Sequence, residues 1–135
     1  MRFKIVLGDW SNDGHGRTSA VEVECTASSI NQVREAFFKA KALLPETCHP
    51  DVLCSEYGES CPPDEAVAEV ERQGGPHYDG DSTMWMANLA AWFLNVGDPS
   101  LCCSVVDNHL ESLHFYGYDA QGRHIGSFGY GLFSE

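Results

Sequence analysis

The stretch STMWMANLAAWFLNV, residues 82 to 96, is apolar on nearly every side, with only Thr83, Asn88 and Asn95 interrupting it. A helix with that pattern cannot lie on a surface. Either it forms the centre of a core or part of it meets a second molecule. Asp81 or Ser82 supplies its N-cap, and Gly97 followed by Pro99 marks its end. Burial in the chain's own core is the expected role. Its residues also cover more than one stripe, and Trp and Met are enriched at protein interfaces. Trp85 and Trp92 are therefore candidates for a two-fold interface, and a homodimer is one expected assembly.

A chain of 135 residues is long enough to surround such a helix in one domain, residues 1–135. Residues 2 to 7 alternate as a strand, with Phe3, Ile5 and Leu7 on one face and Arg2, Lys4 and Val6 on the other. Residues 18 to 26 alternate likewise, Val21, Val23 and Cys25 against Glu22 and Glu24. An antiparallel pairing would set the basic face of the first strand beside the acidic face of the second. A helix follows from Ser29 to Leu44. Ser29 and Gln32 have capping-box spacing, and Ile30, Val33, Phe37, Ala40 and Leu44 form the apolar stripe before Pro45.

Residues 46 to 61 offer one or two helical turns. Residues 61 to 75, CPPDEAVAEVERQGG, read as a short helix closed by Gly74 and Gly75. A short strand is expected at 101 to 106. A last hairpin is expected from Leu113 to Leu132, turning at Asp119 to Gly122. The resulting fold class is α+β. It has an antiparallel sheet built from N-terminal and C-terminal hairpins, with the two main helices packed on one face.

Charge narrows the function. Twenty Asp and Glu face eight Lys and Arg, for a net charge of -12. Residues 42 to 135 carry two basic and fifteen acidic groups, a net of -13, and residues 46 to 81 hold ten acids against Arg72 alone. Such a field repels nucleic-acid phosphates and anionic membranes, and steers a basic partner inward. Direct nucleic-acid binding is excluded on this ground. No run approaches the ~18 apolar residues of a membrane span. The start, MRFKIVLGDW, is too short in its apolar run for a signal-peptide core, so the expected location is cytoplasmic.

The leading functional expectation is a small acidic, non-enzymatic binding protein, such as an inhibitor or immunity-type partner of a basic protein. The residues that would meet the partner are Glu56, Glu59, Asp64, Glu65, Glu69 and Glu71.

The alternative is a metal-dependent hydrolase. The segment GDWSNDGHGR, residues 8 to 17, sets Asp9, Asp13 and His15 among glycines in a connection long for a hairpin. Two carboxylates and an imidazole can hold a divalent metal ion, the one cofactor expected if there is any. The segment is no EF-hand, since the twelfth position from Asp9 is Ala20. Nor is it a phosphate loop, which needs G-K-[ST] after the glycines. As plain structure, these residues shape turns by bonding their own backbone. His109, in DNHLESLH, is the candidate fourth ligand. Asp107 and His109 share a face if that segment is extended.

Six cysteines, at 25, 48, 54, 61, 102 and 103, are expected as free thiols in a reducing compartment. Cys48, Cys54 and Cys61 beside His49 have zinc-ligand chemistry but lack the tight knuckle spacing of a structural site. Cys25 reads as a small buried hydrophobe in its strand.

Overall fold

The computed structural model describes residues 1–6, 20–53, 59–110, 115, 117–118, 124–125 and 133–134. The expected loop 8–17, with Asp9, Asp13 and His15, lies outside them, as does Glu56.

Strand β1, Arg2–Val6, pairs antiparallel with β2, Ala20–Glu24. The register sets Arg2 opposite Glu24 and Lys4 opposite Glu22, and Phe3 opposite Val23 and Ile5 opposite Val21. Period-two alternation therefore separates charge from core as expected. Phe3, Ile5, Val21 and Val23 are all buried. Each cross-strand pair of opposite charges on the outer face contributes roughly 0.2–1 kcal/mol.

The third strand, β3, Ser104–Asn108, lies antiparallel on the other side of β2. Two short strands, β4 (Gly117–Tyr118) and β5 (His124–Ile125), pair with each other, and β6 (Phe133–Ser134) pairs with β1. The main sheet thus runs β3-β2-β1-β6. The α+β class and the antiparallel sheet agree with the sequence reading, but the composition of the sheet differs. Of the last hairpin, β4 and β5 form a ladder of their own, and the free edge of β2 is taken by β3.

The physical reason lies at residues 98–103. The strand expected at 101–106 begins later because Pro99–Leu101 makes a 3₁₀ turn. The Asp98 carboxylate accepts from the Ser100 N–H at 3.1 Å and from the Ser100 hydroxyl at 2.6 Å. Cys102 then adopts a left-handed conformation, φ 51°. This capped turn brings the chain straight from the second main helix to the edge of β2.

Helix α1, Ile30–Leu43, buries Val33, Ala36, Phe37 and Ala40. Gln32 reaches back as its spacing predicts, but one residue further than expected. Its Oε1 accepts from the Ser28 N–H at 2.6 Å and the Ser28 hydroxyl at 2.8 Å, while the Ser29 side chain makes no cap bond. After Pro45 come a 3₁₀ turn, Glu46–Cys48, and a single helical turn, α2, Pro50–Leu53. Cys48 and Leu53 point inward, and Lys41 pairs with Asp51 across the junction. Helix α3, Asp64–Arg72, ends in a Schellman motif. Gly74 has φ +90°, its N–H donates to the Glu71 carbonyl, and the Gly75 N–H donates to that of Val70.

Helix α4, Ser82–Gly97, is capped by Asp81, whose carboxylate accepts from the Met84 N–H at 3.1 Å. Eight of its side chains are buried, on several faces at once. It packs along α1 and against β3, so its all-round apolarity is used within the chain. Phe93 meets Phe37 with ring centroids 5.3 Å apart. Among the described residues no helix is long and apolar enough to cross a membrane.

Candidate functional site

Among the described residues, two places gather chemistry-bearing side chains. The first lies where α3 begins. Pro62 and Pro63 hold the chain extended before the helix, and Asp64 and Glu65 occupy its first turn, where carboxylates suit the positive end of the dipole. Glu59 makes an isolated antiparallel bridge to Phe115. Together these segments line an open cleft of about 450 Å³, bounded by Glu59, Cys61, Pro62, Pro63, Asp64, Glu65 and Phe115. Phe115 lies beneath the cleft and is fully buried, with the Trp85 ring behind it at 6.2 Å.

Glu59, Asp64 and Glu65 are exposed and take no ion-pair partner among the described residues. The other acids named from sequence differ. Glu69 pairs with Arg72, and the Glu71 carboxylate accepts from the His77 Nδ1–H at 2.7 Å. These two carboxylates are already engaged within the chain. Of the six candidate partner-binding acids, the structure therefore brings three into one cleft with their charges unspent.

The second place is the outer face of the sheet. Glu22 on β2 stands opposite Asp107 on β3. The register shifts between Glu22 and Val23, where Val106 is the extra residue of a β-bulge. Just past the strand, the His109 N–H donates to the Ala20 carbonyl at 2.9 Å, and this holds its ring on the same side. His109 Nε2 lies 3.2 Å from Asp107 Oδ2. One ligand atom from each of Glu22, Asp107 and His109 falls within 4.8 Å of the others. Ligands about 2.1 Å from a tetrahedral ion stand about 3.4 Å apart, so modest side-chain rotations would close this set on a metal. Three protein ligands would leave a position open to water.

His109 was legible as a ligand candidate, and so was its shared face with Asp107. Glu22 was not. Its outward direction follows from alternation, but nothing in the sequence says that β2 and β3 are neighbours.

Trp85 is buried in the chain's own core, edge-on to Tyr78, and its indole N–H finds no acceptor among the described residues. Trp92 is half-buried against the same core. Of the cysteine group, Cys48 is fully buried and Cys61 is exposed in the cleft, and Cys54 lies outside the described residues. Burial pushes the Cys48 thiol above its ordinary pKa. The His49 Nε2–H donates to the Leu44 carbonyl at 2.8 Å, which commits that nitrogen to the fold.

Compared with family models, with curated proteins and with solved structures, the chain shows no match.

Proposed function

We propose that this is a small acidic binding protein that receives a basic side chain of a protein partner in the cleft before α3, as an inhibitor or immunity-type protein would. The observation that carries the reading is the placement of three unpaired carboxylates, Glu59, Asp64 and Glu65, around one open cleft. A lysine or arginine fits that combination. Its aliphatic stem packs along Pro63, which is partly exposed, while its charged head meets the rim. The net charge of -13 on residues 42 to 135 adds long-range steering, which raises the association rate and weakens with salt.

The test is fluorescence anisotropy with a labelled arginine- and lysine-rich peptide. Neutralising the cleft in Glu59→Gln/Asp64→Asn/Glu65→Gln should weaken binding about tenfold or more, as for loss of desolvated charge pairs. Neutralising three exposed acids elsewhere, Glu24→Gln/Glu35→Gln/Glu46→Gln, should cost far less. Equal losses in the two triple variants would mean that only net charge matters, and the cleft would lose its role.

A second reading rests on the Glu22, Asp107 and His109 set. It transfers the metal-dependent hydrolase idea from Asp9, Asp13 and His15 to residues seen together, with His109 common to both. Calorimetric titration with zinc and with manganese checks it on the untagged protein. Binding near one equivalent that His109→Ala weakens at least tenfold is the expected result. Heat that is unchanged in His109→Ala assigns the metal elsewhere.

A further inference from the structure

We propose that Cys25 and Cys103 form a cross-strand dithiol that closes to a disulfide, joining the end of β2 to the start of β3.

The register supplies the first argument. Val23 stands opposite Val105 and Glu24 opposite Ser104, so one step further sets Cys25 opposite Cys103. The step also carries both side chains to the inner face, and both are buried.

Main-chain bonding supplies the second. In an antiparallel pair, directly opposed residues either exchange both backbone bonds or none. The pairs that exchange none bring side chains closest, with Cα atoms about 4.5 Å apart. The Cys25 N–H donates to the Met1 carbonyl at 2.9 Å, and its own carbonyl accepts from the Met1 amino group. Its polar backbone therefore faces β1. On the other side, the Cys103 N–H donates to Asn95 Oδ1 at 2.7 Å, and the Cys103 carbonyl accepts from Asn95 Nδ2 at 3.0 Å. Both residues turn their backbone groups away from each other, as the non-exchanging pair requires. The separation typical of such pairs, about 4.5 Å, falls at the short end of the roughly 4.4–6.8 Å span that a disulfide bridges without backbone movement. Cys25 is among the neighbours that push the Cys103 thiol up, in keeping with side chains that stand close together.

The chemistry needs an oxidant, and a small disulfide such as oxidised glutathione suffices. The thiolate of one cysteine attacks it, forming a mixed disulfide and releasing one glutathione thiolate. The second cysteine, as thiolate, then displaces the other. The two cysteines lose two electrons, the oxidised glutathione gains them, and the two cysteine protons end on two glutathione thiols. Burial and the neighbouring Cys25 push the Cys103 thiol up to about 12, so closure should be slow at neutral pH and accelerate as pH rises. Cys102 is exposed and its thiol faces the Pro99 carbonyl at 3.7 Å, so it is the accessible competitor for the oxidant.

The experiment equilibrates reduced, folded protein with oxidised glutathione at pH 8, then alkylates and digests with trypsin without reduction. Cys25 falls in the peptide 18–34, and Cys102 and Cys103 fall in 73–123. The expected product is 18–34 linked to 73–123, in the wild type and equally in Cys102→Ser. Cys103→Ser should lose the link. Oxidised protein should melt several degrees above reduced protein, because the bridge closes a long loop. The proposal is overturned if 18–34 is recovered fully alkylated. It is also overturned if the link persists in Cys103→Ser but vanishes in Cys102→Ser. Should Cys103→Ser fail to fold, the Cys102→Ser map decides alone, since that exposed side chain can be changed without touching the core.

Discussion

Single residues at the end of α4 hold helix and sheet together. Asn95 spends both ends of its amide on the backbone of Cys103, so it bolts α4 to the start of β3. Two residues on, Gly97 has a different task. A Cβ built there would overlap the Ala36 carbonyl, so the absence of a side chain lets α4 approach the backbone of α1. Gly97→Ala sets two effects against each other. Alanine gains up to about 1 kcal/mol of helix propensity, less at a helix terminus. Against that, the overlap is with backbone, which cannot swing aside, and overpacking of this kind costs about 1–3 kcal/mol. The clash should win. Urea denaturation is expected to show a lower midpoint for Gly97→Ala, with Asn88→Ala, an exposed site on the same helix, within about 0.5 kcal/mol of wild type. An unchanged midpoint for Gly97→Ala would mean that the helices do not cross this closely.

At the scale of elements, local signals were readable and neighbourhoods were not. The apolar stripe of α1, the Asp81 cap and all-round apolarity of α4, and the Gly74-Gly75 stop of α3 are each written within a few residues. So is the alternation of β1 and β2, down to Arg2 and Lys4 facing Glu24 and Glu22. Strand β3 starts three residues later than the expected 101–106, because Asp98-Pro99-Ser100 does more than end a helix. Its side-chain bonds in fact make a separate turn. The candidate sites show the same limit. The acids at the start of α3 were visible as charge, but the cleft needs Glu59 bridged to Phe115, a pairing across more than fifty residues. The triad needs β2 beside β3, which no local pattern states. Likewise Cys25 reads locally as a strand hydrophobe, and nothing near it in sequence points to Cys103; only the β2–β3 register leads from one to the other.

For the whole molecule, burial of thiols and excess negative charge act in the same direction at high pH. The unfolded chain ionises a cysteine near its ordinary 9.0, whereas the folded chain holds Cys103 protonated up to about 12, chiefly because burial disfavours the thiolate. Between those values the unfolded state has released a proton that the folded state retains. Unfolding therefore becomes easier as pH rises, and the stability present below pH 9 is lost through this window. Cys48, also pushed up by burial, adds to the slope. Each thiolate formed also joins a chain already at -12, where self-repulsion opposes compactness. The two contributions separate experimentally. Salt screens repulsion between exposed charges but does little for a buried thiol. Thermal melts of reduced protein from pH 8 to 11 should show a falling Tm at both low and high salt, with the fall flattened in Cys103→Ala. A decline that high salt abolishes, and that Cys103→Ala leaves untouched, would assign the alkaline loss to surface charge alone and place the Cys103 thiol in contact with solvent.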